Sequence, residues 1–189
     1  GGKEGRLDWK LAYSYVAATF QSTFVVNAPS NSTADADGNI VVQPGDRIPL
    51  IPMHVARLIL NYDVTRRLNL GANVIFASSS YLHGDENNAN RAGTTDIASG
   101  AYISPYGTGM TPSYVTLDLD GTYKVDQNVE IFARVANALN RDYYTAGFLS
   151  QSSYSPSGVL ITNPNNWTNE NDVTPAAPRE IWGGVRVRF

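Results

Sequence analysis

The stretch YVTLDLDGTYKVDQNVEIFARVAN, residues 114–137, contains two runs of alternating polar and apolar side chains around a short polar turn. Alternation with a period of two is the pattern of a β-strand whose two faces meet different surroundings. The stretch therefore predicts an antiparallel hairpin with one apolar and one polar face. The apolar positions are Val115, Leu117, Leu119, Tyr123, Val125, Val129, Ile131, Ala133 and Val135.

The charged residues of this hairpin predict how its strands pair. If the strands pair about Gln127, Lys124 lies opposite Glu130 on the polar face. Asp120 then lies opposite Arg134, and apolar residues meet on the other face. Opposite charges directly across a strand pair stabilise a sheet by about 0.2–1 kcal/mol each. Because one register satisfies both faces, we expect two cross-strand charge pairs, Lys124–Glu130 and Asp120–Arg134.

The same alternation recurs along the chain, and no segment sustains an apolar stripe at helical spacing. The pattern predicts six strands, at about residues 7–24, 49–64, 67–78, 113–125, 128–139 and 179–189. Two of the connections are tight turns. The other three are long and rich in Asn, Ser, Gly, Thr and Pro, which favour loops; they span residues 25–48, 79–112 and 140–178.

Strand length and aromatic placement favour a membrane barrel. The predicted strands are longer than the usual strand of about 5–6 residues. They reach the length of about 9–11 residues that a tilted transmembrane strand needs. Short turns at one rim and long loops at the other are typical of outer-membrane barrels. We therefore predict an all-β fold, an antiparallel transmembrane β-barrel segment, with a soluble β-sandwich as a weaker alternative. The expected aromatic girdle at the short-turn rim is Trp9, Tyr62, Tyr123 and Phe189.

Composition excludes several classes of protein. The 189 residues carry a net charge of −3, which indicates no nucleic-acid partner. The chain has no cysteine, which excludes disulfides, thiolate metal sites and cysteine nucleophiles. It also has no run of about 18 apolar residues, so the sequence predicts no transmembrane helix.

No catalytic or metal constellation is evident. His83 lies beside Asp85 and Glu86 in the sequence YLHGDEN, and these residue types can bind metals. One His and two neighbouring carboxylates fix no coordination geometry, so we interpret this segment as a solvated loop. The sequence DADGN at residues 35–39 is interpreted as a turn. We expect no enzyme activity, no cofactor and no metal site.

Aromatic residues in the long loops suit recognition of an organic ligand by stacking and hydrogen bonding. The alternative is that these rings hold the loops against one another, and the sequence favours neither. The candidates for ligand contact are Tyr81, Tyr102, Tyr106, Tyr143, Tyr144 and Trp167, and Phe148 and Tyr154 lie in the same loops.

The segments VEIFARVANALNRDYYTAGFL (129–149) and PREIWGGVRVRF (178–189) resemble the C-terminal portion of TonB-dependent outer-membrane receptors. In that family apolar alternation runs into V-x-N-L-hydrophobic-[ND]-x-x-Y, and a final strand with a Pro-Arg entry ends on an aromatic residue. GANVIFASSSYLHGDENN also looks like a receptor strand rising into an extracellular loop. The matching residues are Val135, Asn137, Leu139, Asn140, Tyr143, Pro178, Arg179 and Phe189, with Ala138 where Leu is commoner.

The resemblance implies a receptor in the bacterial outer membrane for energy-coupled uptake of a scarce nutrient such as a ferric chelate. The loops would then be extracellular and face the ligand, and the charge pairs would lie in the lumen. An inner-membrane energy-coupling protein would be a partner, and the assembly machinery would read Phe189 as a signal.

That family has about 22 strands around a plug, whereas this sequence predicts six strands and resembles no plug or coupling box. Residues 1–189 are therefore expected to be the C-terminal part of a larger barrel in outer-membrane lipid. The remaining strands and plug would come from the same protein or another chain. The alternative is a non-transporting outer-membrane barrel in which these strands form a structural or enzymatic wall segment.

Overall fold

The computed structural model describes residues 6–95, 102–103, 107–155 and 157–189, whose regular structure is almost entirely β-strand. The all-β prediction is confirmed. A 3-10 turn at Pro164–Asn166 is the one helical element of these ranges, and none of their helices is long and apolar enough to cross a membrane. The strands are β1 (Arg6–Tyr15), β2 (Phe24–Asn27), β3 (Asn39–Val42), β4 (His54–Asp63), β5 (Leu68–Ala77), β6 (Ser80–Tyr81), β7 (Tyr102–Ile103), β8 (Met110–Thr111), β9 (Tyr114–Lys124), β10 (Val129–Ala136), β11 (Tyr144–Ser152), β12 (Thr168–Pro175) and β13 (Glu180–Val187).

Six long strands form one antiparallel sheet, in the order β1–β4–β5–β9–β10–β13, which we call the wall. Tight turns at residues 64–67 and 125–128 join β4 to β5 and β9 to β10. Within the described part of the chain, β1 and β13 each pair with a single neighbour and form the two edges of the wall. The wall is therefore open, as expected for a segment of a larger barrel.

The register predicted for the β9–β10 hairpin is confirmed. Lys124 lies opposite Glu130, and Asp120 lies opposite Arg134. The terminal strand β13 pairs with β10, as predicted, with Val185 opposite Ile131.

Two predicted strands are too long, for reasons visible in the backbone. β1 ends at Tyr15 instead of near residue 24. Pro52, the partner after Met53, has no N–H for the ladder, and the chain turns to the first connection, where the Phe20 N–H donates to the Asp46 carbonyl at 2.9 Å. β4 begins only at His54, since Pro49 and Pro52 have no N–H for a strand ladder.

Within the described residues, each of the three long connections contains strands of its own. The first contains the β2–β3 hairpin, and the third contains the β11–β12 hairpin. The second contributes β7, which adds to β12 in parallel, and the short pair β6–β8. We call the described residues of these connections, within 16–53, 78–113 and 137–179, the loop assembly.

The buried apolar residues lie in this loop assembly and at the wall end nearest to it, whereas the apolar face of the wall is exposed. Trp9 is 67% exposed, Leu119 40% and Ile181 73%. A soluble sandwich packs this face against a second sheet, so the exposure argues against that alternative. The buried apolar residues are Ala28, Ala34, Ile40, Val42, Ala77, Leu82, Ile103 and Leu149.

Candidate functional site

Asp85 joins two of the three connections. Its side chain is buried, and its Oδ1 accepts hydrogen bonds from the N–H groups of Ala89 at 3.0 Å and Asn90 at 2.9 Å. The same oxygen accepts from Asn31 Nδ2, in the first connection, at 3.3 Å. Asn31 is also fully buried, and its Nδ2 donates to the Gly84 carbonyl at 2.7 Å. Asp85 and Asn31 therefore form a buried polar link, since each satisfies groups that cannot reach water.

Other asparagines make similar bridges. Asn88 accepts from the Arg47 N–H at 2.6 Å and donates to the Arg47 carbonyl at 3.1 Å. Asn171, in the third connection, accepts from the Gly109 N–H at 2.9 Å and donates to the Met110 carbonyl at 3.0 Å. A side-chain amide carries the same donor and acceptor as a peptide group. These side chains thus bond to backbone groups that would otherwise need a neighbouring strand.

The interpretation of YLHGDEN as a solvated loop is wrong for Asp85, which is 1% exposed. It holds for His83, which is exposed and whose Nδ1 lies 3.3 Å from Glu86 Oε1. Within the described ranges, no group of three His, Cys, Asp or Glu residues could hold a metal ion. The turn at residues 35–39 is confirmed, because Asp35 Oδ1 accepts from the Asp37 N–H at 3.0 Å.

Burial raises the pKa of the Asp85 carboxyl to about 6, because desolvation disfavours its charged form. The hydrogen bonds from Asn90, Ala89 and Asn31 act in the opposite direction and lower the pKa. The nearby charge of Glu86 raises it slightly further. The folded loop assembly therefore binds a proton at this site more tightly than an unfolded chain does.

We expect the loop assembly to lose stability as the pH rises from about 4 to about 7. In this window folded Asp85 retains a proton that the opened chain has lost, so stability is greatest below the unfolded pKa and falls as the pH passes the folded pKa of about 6. The full effect is on the order of 3 kcal/mol. Hydrogen exchange at the Ala89 and Asn90 amides, corrected for intrinsic rates, measures it. Asp85→Asn keeps an acceptor oxygen and cannot ionise, so an unchanged pH dependence in that variant would contradict the assignment.

Three aromatic candidates are engaged inside the loop assembly. The Arg47 guanidinium lies 5.3 Å from the centre of the Tyr81 ring. The rings of Tyr143 and Tyr114 are 4.6 Å apart. Trp167 Nε1 donates to a backbone carbonyl of its own connection at 2.9 Å. The structure therefore favours packing between loops for Tyr81, whereas Tyr143 packs against the wall and Trp167 packs within its own connection.

The remaining candidates are spread over the assembly. Tyr102 lies on β7 and is 47% exposed, whereas Tyr144 is partly buried at the start of β11. Tyr106 lies outside the described residues. Phe148 and Tyr154, both about half exposed, line two different cavities. The structure therefore does not gather the aromatic candidates into a single site.

Two adjoining cavities lie along β11. One, of about 440 Å³, is bounded by Pro29, His83 and Phe148 from the three connections. The other, of about 340 Å³, lies against the β11–β12 hairpin beside Tyr154 and Glu170. The cavities share the lining residues Ser150 and Gln151. We call the two together the β11 groove.

The residues of the two predicted charge pairs lie opposite each other on the polar face of the wall. Their side chains, however, contact other residues. Glu130 accepts from Arg186 of β13 at 2.7 Å instead of pairing with Lys124. Arg134 donates to Asp118 at 3.5 Å. The Asp120 carboxylate lies against Gly71 of β5, so close that a Cβ added to Gly71 would be 2.5 Å from it.

The reason is that an interior strand offers partners on both sides and along the diagonals. Asp118 illustrates this, since it accepts from Asn73 of β5 at 3.4 Å and from the Asn137 N–H at 3.0 Å as well as from Arg134. Arg134 also stacks on Trp182 of β13, with its guanidinium carbon 5.3 Å from the ring centre. The polar face is thus cross-linked from β5 to β13.

Comparison with known proteins identifies relatives of this chain. Residues 2–138 match the family described as "TonB dependent receptor-like, beta-barrel". The protein named "Probable TonB-dependent siderophore receptor PiuA" of Acinetobacter baumannii is 25% identical over 122 residues, which are 63% of this chain and 14% of that protein.

Solved structures share the fold. The crystal structure of the siderophore receptor PiuA from Acinetobacter baumannii has a TM-score of 0.58 at 16% identity and covers 99% of this chain and 20% of that one. The closed form of the ferric-catecholate import receptor Fiu from E. coli K12 has a TM-score of 0.54 at 17% identity, covering 96% and 19%. The chain thus spans one fifth or less of the proteins it matches. Since the family match extends over most of the sequence, this chain belongs to the TonB-dependent receptor-like β-barrel family.

Proposed function

We propose that this chain supplies part of the wall and the ligand-facing extracellular loops of an outer-membrane receptor for energy-coupled uptake of a ferric chelate or a similarly scarce nutrient. The observation that carries the proposal is the exposed apolar face of the wall, with a polar, folded loop assembly at one end. Such a face suits lipid, and such loops suit recognition from outside. Membership in a receptor family supports the same role over a non-transporting barrel or an enzyme.

The aromatic girdle supports placement in a bilayer. In the strand register, Trp9, Tyr62, Tyr123 and Phe189 do not share one row of the sheet. Instead, from β1 toward β13, the girdle residue lies closer to the tight turns on each later strand that carries one. Relative to a row of directly paired residues, this shift is about 1.5 residues for each strand crossed. With strands about 4.8 Å apart and about 3.3 Å per residue, this shift corresponds to a strand tilt of about 45°. Transmembrane strands tilt by about that angle, which would bring the four aromatic residues to one height.

The partners follow from the same placement. Outer-membrane lipid covers the apolar face, and a plug occupies the polar side. The backbone groups of the edge strands β1 and β13 must be paired in lipid, so these edges meet barrel strands from outside the present sequence. An inner-membrane coupling protein supplies energy, and the assembly machinery reads Phe189, whose role as a signal stays a prediction. Phe189 is fully exposed beyond the end of β13.

Deleting the gene for the complete receptor tests the function. We expect iron-starved cells to lose uptake of at least one radiolabelled ferric chelate, and a plasmid copy to restore it. A protonophore should abolish the restored uptake, because transport is coupled to the inner membrane. Restored uptake that persists with the protonophore would exclude energy coupling, and unchanged uptake of every chelate after deletion would favour the non-transporting barrel.

A further inference from the structure

The long connections are strongly acidic. Residues 25–48, 79–112 and 140–178 carry nine Asp and Glu residues against three Arg, whereas the rest of the chain carries eight against eleven Lys and Arg. A concentration of one sign of charge attracts ligands of the opposite sign and repels those of the same sign. This part of the receptor therefore disfavours a ligand with several negative charges.

The lining of the β11 groove has the same character. Its ionisable side chains, apart from Tyr154, are those of His83, Glu170 and Asp172, and no Lys or Arg from the described stretches of chain lines either cavity. Glu170 and Asp172 are two positions apart on β12, so both point to one face. Across the hairpin they lie opposite Ser150 and Phe148 of β11. The two carboxylates thus share a surface with a hydroxyl group and an aromatic ring.

At the other end of the groove, His83 is paired with the carboxylate of Glu86. Its Nδ1 lies 3.3 Å from Glu86 Oε1, and Glu86 is held in turn by the Gly84 N–H at 3.1 Å. A carboxylate only accepts, so Nδ1 donates in this pair. The exposed rings of Phe148 and Tyr154 add π-faces, which attract cations.

We infer that the β11 groove binds a ferric chelate that is neutral or positively charged, and that it rejects a polyanionic one. The inference rests on the proposed uptake function and narrows its substrate class. Tris-hydroxamate complexes of Fe(III) are electrically neutral and become cationic with a pendant ammonium group, whereas tris-catecholate complexes are trianionic. Glu170 and Asp172 accept hydrogen bonds from the ammonium group, and the Ser and Gln side chains of β11 bind the neutral hydroxamate arms.

The test uses the complete receptor in detergent and three probes. They are a linear ferric trihydroxamate with one ammonium group, its N-acetylated neutral counterpart and a ferric tris-catecholate. We expect the ammonium probe to bind on the order of tenfold more tightly than its acetylated counterpart at low salt, and the difference to shrink at high salt. The tris-catecholate should bind most weakly. In the double variant Glu170→Gln, Asp172→Asn, the ratio between the two hydroxamates should fall to about one.

The matched control is the double variant Asp37→Asn, Asp142→Asn, which removes two exposed carboxylates that do not line the groove. It should keep the ratio between the two hydroxamates. Tightest binding of the tris-catecholate, equal binding of the two hydroxamates, or an equal loss in both double variants would overturn the inference while leaving the uptake function in place. If no ferric chelate of any charge binds or is transported, the proposed function fails as well.

Discussion

Replacing Leu119 with Arg is expected to destabilise the complete receptor by about 2–4 kcal/mol in a lipid bilayer. Leu119 lies on the exposed apolar face of the wall, between Ala72 of β5 and Val135 of β10. It is four residues from the girdle residue Tyr123, which places it roughly 9 Å inside the interface for strands tilted by about 45°. The apolar band of a barrel is about 25 Å tall, so Leu119 lies near its middle, where a charge costs most.

The control for this substitution is Thr122→Arg, on the polar face of the same strand. Thr122 lies opposite Phe132 and Asn69, and in the proposed barrel a charge added there faces the aqueous lumen, so the cost should be small. Urea unfolding in phospholipid vesicles measures both free energies. Equal costs at Leu119 and Thr122 would mean that protein, not lipid, covers the apolar face.

Replacing Asp85 with Ala is expected to loosen the loop assembly by on the order of 3 kcal/mol. The change leaves the N–H groups of Ala89 and Asn90 and one donor of Asn31 without their buried acceptor, and each such loss costs about 1–3 kcal/mol. Limited proteolysis and hydrogen exchange should show faster opening of residues 28–48 and 82–95. The amides of β4 and β5 should keep their protection, because the wall makes no use of this carboxylate.

The matched variant is Asp85→Asn, which retains an oxygen for the three donors and removes the buried charge. It should leave the loop assembly at least as stable as the original at neutral pH, because it also removes the cost of the buried charge. If Asn loosens the assembly as much as Ala does, the hydrogen bonds to Asp85 are not what holds the two connections together.

The wall was predictable because its signals are local. Alternation is a property of each strand alone, and it predicts which side chains share a face. The β9–β10 register followed from charges on both sides of one tight turn, Lys124 and Glu130 among them, because a short turn limits the possible pairings. The ionic partners were not predictable in the same way. Arg186 reaches Glu130 from a strand 56 residues away in the sequence.

The loop assembly was not predictable, because its contacts are distant and its residues have the composition of ordinary loops. Asn31 and Asp85 are 54 positions apart, and no periodic pattern marks either of them as buried. Asn and Asp favour turns and solvent, so composition alone indicates an exposed segment. Their burial depends on amide groups from another connection, which the sequence does not reveal. For the aromatic candidates, the sequence did not distinguish ligand contact from packing between loops. Contacts such as that of Arg47 with Tyr81 identify a ring that packs between loops.

The location of the buried apolar residues has a consequence for motion. The apolar face of the wall is exposed, whereas the loop assembly buries a small core of its own, in which Ile40 packs with Ala28 and Ala34. Two parts that depend on different surroundings can open as separate cooperative units, each with its own free energy. A ligand that bound only the loop assembly would stabilise that unit by mass action and leave the wall unchanged. The loop assembly can therefore rearrange while the sheet of the wall keeps its shape.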